Sequence, residues 1–160
     1  MISLSIVTVN MNSGDYLEKT VNSVKELQAM VPIHHIIVDG GSSDVSGDLL
    51  SSLVAGHVTI LIEADKGIYD AMNKGIRLAH SEYILFLNSG DVFNDTQRLS
   101  FFLNNATDDF DVFYSDLILG TGKLSEQRVD HKFLLHNCTN HQSMLIRTSK
   151  LECGYSLQYQ

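Results

Sequence analysis

The chain has 160 residues, a formal net charge of −8 from 11 Lys+Arg against 19 Asp+Glu, and 44% hydrophobic against 19% charged residues. That balance predicts one globular domain spanning residues 1–160 and excludes a disordered chain. The acidic surplus excludes sequence-independent nucleic-acid binding, which needs a basic face to displace counterions.

The first predicted element is a buried strand from Ile2 to Val9, an apolar run rich in β-branched residues. Asn12-Ser13-Gly14-Asp15 offers a helix cap, and Leu17, Val21, Val24 and Leu27 mark one face of the helix that follows. A second strand is predicted over His35 to Val38. Gly40-Gly41-Ser42-Ser43-Asp44 is a turn that ends in cap residues, Asp44 above all, for a helix near Val45 to Leu53. Val58 to Ile62 is the third strand, Tyr69 to His80 a helix with Met72, Ile76 and Ala79 on one face, and Tyr83 to Leu87 a continuous apolar strand. Thr96 to Leu103 follows as a helix, Val112 to Tyr114 as a strand, and Gln142 to Arg147 as one more strand candidate. Alternating strands and helices predict an α/β fold with a mostly parallel, Rossmann-like sheet flanked by helices.

Cys138 and Cys153 form no CxxC pair and read as free thiols in a reducing compartment. The N-terminus has no basic segment ahead of a signal-length apolar run, and no run approaches the about 18 apolar residues of a membrane span. A cytoplasmic protein is expected, with a peripheral position at the inner face of the membrane left open. His34, His35 and His57 are expected in packing or at the surface.

In doubly wound sheets ligands bind beyond the carboxyl ends of the strands. Here those exits carry Thr8 and Asn10, then Asp39, then Glu63-Ala64-Asp65, then Asn88-Ser89-Gly90-Asp91, then Ser115-Asp116. Any one of these residues alone reads as a turn former. Their recurrence at exits that converge reads as a site. Neither GxGxxG nor GxxxxGK[ST] is present, which weakens the dinucleotide and P-loop readings. Carboxylates cannot hold a bare diphosphate, since like charges about 4 Å apart repel by ~4 kcal/mol at an effective dielectric of about 20. A divalent cation reverses that sign, and Mg²⁺ characteristically uses one or two carboxylates plus substrate phosphates. Asp91, in a loop after a buried strand, is the natural ligand.

Three segments carry a family resemblance. Glu63-Ala64-Asp65-Lys66-Gly67-Ile68-Tyr69-Asp70-Ala71-Met72-Asn73-Lys74-Gly75 resembles a signature of family 2 glycosyltransferases with the GT-A fold. Val38 to Asp44 and Phe86 to Asp91 are similar to two further motifs of that family, in the right order. The resemblance covers nearly the whole chain and is strongest to bacterial enzymes of exopolysaccharide, O-antigen and colanic acid synthesis. It implies an inverting transfer of a sugar from a nucleoside diphosphate, typically UDP, to a glycan or lipid-linked acceptor. It implies that Thr8 and Asn10 line the nucleobase pocket, that Asp39 accepts a hydrogen bond from the base, and that Asp65 faces the nucleotide. Gly67 would let backbone approach the nucleotide, and Asn73 would help hold that loop, unless it is a plain amide on a helix surface. Asn88 to Asp91 takes the place of the family's metal motif, with Asp91 binding Mg²⁺ or Mn²⁺. Many members carry a second acid where this chain has Gly90, and Asn88 is the residue that could compensate. His141-Gln142 resembles a motif near the donor sugar and acceptor, with a packing or loop histidine as the plain alternative.

Family members of this kind are usually longer, and their general base lies beyond the region matching Tyr155 to Gln160. The resemblance therefore implies a chain without the family's C-terminal portion, in which Asp116 is the best internal candidate for the base. A truncated module that binds a nucleotide sugar without transferring it is the alternative. A nucleotidyltransferase would want a basic, Gly-rich loop after the first strand, and Val9 to Ser13 has no basic residue. An open sheet edge near the C-terminus would invite a homodimer.

Overall fold

Seven consecutive buried residues put β1 (Leu4–Asn10) at the centre of the molecule. A strand covered on both faces has no solvent side, so apolar residues run together along it. The computed structural model describes residues 2–53, 58–107, 109–125 and 141–157. In it β1 pairs in parallel with β2 (Ile33–Asp39) on one side and with β4 (Tyr83–Phe86) on the other. Beyond β2 lies β3 (Val58–Ile62), also parallel. β8 (Met144–Arg147) adds antiparallel to β4, and β5 (Val112–Tyr114) antiparallel to β8. The order is therefore β3-β2-β1-β4-β8-β5, with a separate hairpin of β6 (Leu117–Ile118) and β7 (Leu124–Ser125).

Helices cover both faces. On one face α1 (Asp15–Gln28), α2 (Ser46–Ser52) and α4 (Thr96–Asn105) pack against Leu4, Ile6, Ile37 and Leu85. The apolar side of α1 is Leu17, Val21, Val24 and Leu27, as the helical spacing predicts. On the other face α3 (Ile68–Leu78) places Ala71 and Met72 against Val7, Val9, Ile36 and Phe86. The close approach of α3 requires Gly75, because a Cβ there would collide with Val7.

Some expectations shift. β2 begins at Ile33, two residues ahead of the expected start, and its histidines find partners on the neighbouring strands: His35 Nε2 bonds Thr8 Oγ1 at 2.9 Å and His34 Nε2 bonds Thr59 Oγ1 at 2.8 Å. The expected strand from Gln142 opens instead as a 3₁₀ turn, His141–Ser143, and only then becomes β8. The β6–β7 hairpin is too short to show a period in the sequence. No side chain caps α1; Gly14 is its N-cap, and the Gly14 N–H donates to Asp44 Oδ2 at 2.6 Å. Asp44 also accepts from Ser46 N at 3.0 Å, so it serves the start of α2 as expected and holds the start of α1 besides. β5 lies at the sheet edge. Cys153 is a free, exposed thiol; Cys138 and His57 lie outside the described residues. Among the described residues no helix is long and apolar enough to cross a membrane.

Candidate functional site

Parallel pairing of β1 to β4 sends their carboxyl ends to one edge of the sheet. β8 is antiparallel to β4, so its start, with His141 and Gln142 just ahead, lies at that same edge. β5 is antiparallel to β8 in turn, so Ser115 and Asp116 also leave there, and Ser115 N donates to Ser143 O at 2.9 Å. The topology thus gathers every strand-exit residue of the sequence at one mouth.

The exits of β1 and β2 are sewn together. Asn10 Nδ2 donates to Asp39 Oδ2 at 2.5 Å and to Ser42 Oγ at 3.1 Å, and Asn10 Oδ1 accepts from Ser89 Oγ at 2.8 Å. Asp39 is 1% exposed. Its Oδ1 accepts from Gly41 N and Ser42 N, and its Oδ2 from Ser42 Oγ and Asn10. Burial raises its pKa, but the hydrogen bonds from Ser42, Asn10 and Gly41 outweigh it and hold the carboxyl below its ordinary range. All four acceptor sites of the carboxylate are occupied by its own chain. Asp39 therefore builds the floor of the mouth before any ligand arrives. Thr8, expected beside it in the base pocket, is turned inward instead: it is fully buried and bonded to His35. Alternation along β1 sends Thr8 to the α1 face with Leu4 and Ile6.

After β3, Asp65 Oδ1 accepts from Gly67 N at 2.9 Å, and Gly67 (φ 116°) opens α3. The Asp65 carboxylate leans on Gly40, where a Cβ would stand 2.6 Å from Oδ2. Asn73 does not hold this loop, contrary to expectation, because its amide is engaged with the backbone of Tyr155. The loop is held by Lys74, only 5% exposed, whose Nζ donates to Ala64 O at 2.7 Å and pairs with Glu63 Oε1 at 2.9 Å. Neighbouring side chains on a helix point about 100° apart, so adjacent residues reach different walls.

After β4 the chain turns tightly at Asn88–Asp91, with Asp91 N bonded to Asn88 O at 2.9 Å. Thr20 of α1 pins the turn: its hydroxyl donates to Asp91 O at 2.9 Å and accepts from Gly90 N at 2.9 Å. Gly90 has φ 101°, a conformation that glycine adopts without strain. The Asp91 carboxylate is half-buried. Burial pushes its pKa up, against hydrogen bonds from the Gln142 amide and from the backbone of the turn. On the same turn Asn88 Oδ1 is buried with no hydrogen-bond partner. A carboxylate beside an orphaned amide oxygen fits Mg²⁺ or Mn²⁺ whose remaining positions are filled by phosphate and water. No group of three His, Cys, Asp or Glu gathers for a metal among the described residues.

His141 meets Phe86 edge-on, with ring centroids 6.1 Å apart, and Tyr155 at 6.3 Å. Its Nε2 is buried without a partner, and burial lowers its pKa, which favours the neutral ring. Asp116 is exposed in the connection from β5 to β6. Sequence reasoning missed Thr20, Ser42, Lys74 and Tyr155. The one available signal was Thr20, a polar residue on the apolar stripe of α1.

The family model described as Glycosyl transferase family 2 matches residues 5–155. An uncharacterized glycosyltransferase of Mycobacterium tuberculosis is 39% identical over 92 residues, covering 58% of this chain and 35% of that protein. A PGL/p-HBAD biosynthesis glycosyltransferase of Mycobacterium bovis is 29% identical over 121 residues, covering 72% of this chain and 46% of that protein. The chain thus spans between a third and a half of these relatives' length. Among solved structures, S. aureus TarS in complex with UDP-GlcNAc superposes with a TM-score of 0.72 at 18% identity, over 95% of this chain and 47% of that one. A mannosyltransferase from Pyrobaculum calidifontis, in complex with GDP-Man and Mn²⁺, gives 0.55 at 15% identity, over 62% of this chain and 30% of that one. The fold is that of these GT-A proteins.

Proposed function

Because the chain belongs to glycosyl transferase family 2, we propose that it is the donor-binding part of an inverting glycosyltransferase that uses a UDP-sugar. The acceptor is a glycan or a lipid-linked glycan in polysaccharide synthesis, reached in the cytoplasm or at the inner face of the membrane. The observation that carries this reading is the Asn88–Asp91 turn: a half-buried carboxylate and an orphaned amide oxygen at the mouth where all the strand exits meet. The ligands named for TarS and for the Pyrobaculum enzyme, a UDP-sugar and a nucleoside diphosphate sugar with Mn²⁺, support it by fold.

Asp91 and Asn88 would hold Mg²⁺ or Mn²⁺, which supplies positive charge against the diphosphate leaving group. Asn10, Asp39 and Ser42 form the floor on which the nucleoside lies, and Asp65 with Gly67 forms the adjoining wall. Exposed Lys66 stands beside Asp65 to balance phosphate charge. His141, with a buried and unpartnered nitrogen, is placed to hydrogen-bond a hydroxyl of the donor sugar. Inversion needs a base that takes the acceptor's proton as its oxygen attacks the anomeric carbon. Asp116 is the best candidate for that role within residues 1–160, and the family resemblance places the base itself beyond the region matching Tyr155 to Gln160.

Calorimetric titration with UDP, with and without Mn²⁺, tests the reading. Metal-dependent binding that Asp91→Ala abolishes is expected. Binding indifferent both to Mn²⁺ and to Asp91→Ala would overturn it.

A further inference from the structure

We infer that Asn73 is a positioning residue: from α3 it locks the Gly154–Tyr155 segment in place and thereby holds the His141 ring at the mouth of the site. What His141 faces there rests on the proposed donor reading; the lock itself does not.

The lock is reciprocal. Asn73 Nδ2 donates to Tyr155 O at 2.9 Å, and Asn73 Oδ1 accepts from Tyr155 N at 2.6 Å. One side-chain amide thus serves both polar groups of one residue, as a neighbouring strand would. Only an amide supplies a donor and an acceptor together in this geometry; aspartate has no donor and leucine has neither. The approach is also as close as backbone allows. Gly154 sits at φ 62°, and a Cβ there would stand 2.5 Å from Asn73 Oδ1. Glycine is required twice over, for its conformation and for its missing side chain. Gly154 N in turn donates to Leu151 O at 2.8 Å, closing the 3₁₀ turn Thr148–Leu151 that follows β8. The segment is therefore tied to the sheet at one end and to α3 at the other.

The consequence falls on the site. With its backbone held, Tyr155 stacks on Tyr69 at 5.3 Å, meets Phe86 edge-on at 5.7 Å, and closes on His141 at 6.3 Å. Burial, with Tyr69 adding to it, pushes the Tyr155 hydroxyl up to about 12, so the ring is a neutral packing element. His141 meets two aromatic walls that also touch each other, Phe86 from the sheet and Tyr155 from the locked segment. Releasing the lock removes the second wall. Lys74, next along α3, holds the β3 exit, so one helix grips two sides of the mouth.

Amide hydrogen exchange read residue by residue tests this on the whole chain. In Asn73→Ala the Tyr155 amide and those of His141–Ser143 should exchange about tenfold faster or more, with β1 and β2 unchanged. Asn73→Asp, which keeps only the acceptor, should leave the Tyr155 amide better protected than Asn73→Ala does. Gly154→Ala, with Asn73 intact, should reproduce the Asn73→Ala pattern and guards against a variant that fails to fold. Faster exchange spread over the whole sheet would overturn the inference, as would release of Tyr155 with His141–Ser143 unaffected. Calorimetry adds a functional readout. The variants should weaken UDP-GlcNAc binding about tenfold while holding UDP within about twofold, whereas equal weakening of both would overturn the link to the sugar. A wild-type chain that binds neither nucleotide would defeat the donor reading, and the exchange pattern would still decide the lock.

Discussion

Replacing Asp39 by asparagine separates two roles that the sequence alone assigns to one residue. A carboxylate kept only to read a nucleobase would stand unpaired until the ligand arrives, and a neutral amide in its place would leave stability unchanged or raise it. In the structure both oxygens are already engaged: Oδ1 accepts from Gly41 N at 2.9 Å and Ser42 N at 2.7 Å, and Oδ2 from Asn10 Nδ2 at 2.5 Å and Ser42 Oγ at 2.7 Å. An asparagine keeps one oxygen and presents an NH₂ where the other stood. In either orientation two of the four donors face another donor. Hydrogen bonds to a charged group contribute about 1.5–3 kcal/mol each, so losing two costs about 3–6 kcal/mol. That is a large share of the about 5–15 kcal/mol that holds a domain together.

For a chain of this size each kcal/mol moves Tm by about 2–4 °C, so Asp39→Asn should lower Tm by about 6 °C at the least. Thermal denaturation followed by circular dichroism measures it, and UDP calorimetry on the same sample reports the site. The pH dependence should change as well. Folding holds the Asp39 pKa below its unfolded value. Its stabilisation is thus full above the unfolded carboxyl pKa of about 3.9 and is lost as pH falls through the lower folded value. Asp39→Asn should remove that part of the acid sensitivity. A variant with Tm within about 1 °C of wild type and no UDP binding would refute the account of Asp39 as the floor of the site.

Thr20→Val is nearly isosteric but removes the hydroxyl that joins α1 to the Asn88–Asp91 turn. Two backbone groups lose a partner at about 1 kcal/mol or more each, so a loss of about 2–3 kcal/mol is expected in denaturant unfolding, with Thr20→Ser close to wild type. His35 is fully buried, and burial, helped by His34 and Lys25, pushes its pKa down to about 4 from 6.5. The unfolded chain takes up this proton first, so stability should fall by about 3 kcal/mol as pH drops from about 6.5 towards 4. Tm measured across that range should show less of this slope in His35→Gln; an equal slope in both would assign the loss to other groups.

Much of the layout is legible in the residues themselves. The β-branched residues of β1 and the unbroken apolar run of β4 announce buried strands, and Leu17, Val21, Val24 and Leu27 announce the packed side of α1. Polar residues directly after such strands point to the mouth of the sheet, because open parallel sheets bind ligands there. Asp91 was singled out in that way, and the structure places it in the turn after β4. Roles at the mouth were read less well. Thr8 lies one alternation from the pocket and faces His35, and Asn73 reaches a backbone 82 residues further along the chain.

Hydrophobic period and turn chemistry are local properties, written within a few residues, and by themselves they determined the longer strands and helices, their sequence along the chain and the edge of the sheet where the polar residues collect. Hydrogen-bond partners and burial depend on segments brought together only by folding. That Asp39 is saturated by Asn10 and Ser42, that Thr20 pins the Asp91 turn, that Lys74 is buried under the β3 exit, and that Asn73 holds Tyr155 against His141 were decided by the tertiary structure alone. A polar side chain carries the same donors and acceptors wherever it stands, and only the packed chain chooses which of them are spent internally and which remain for a ligand.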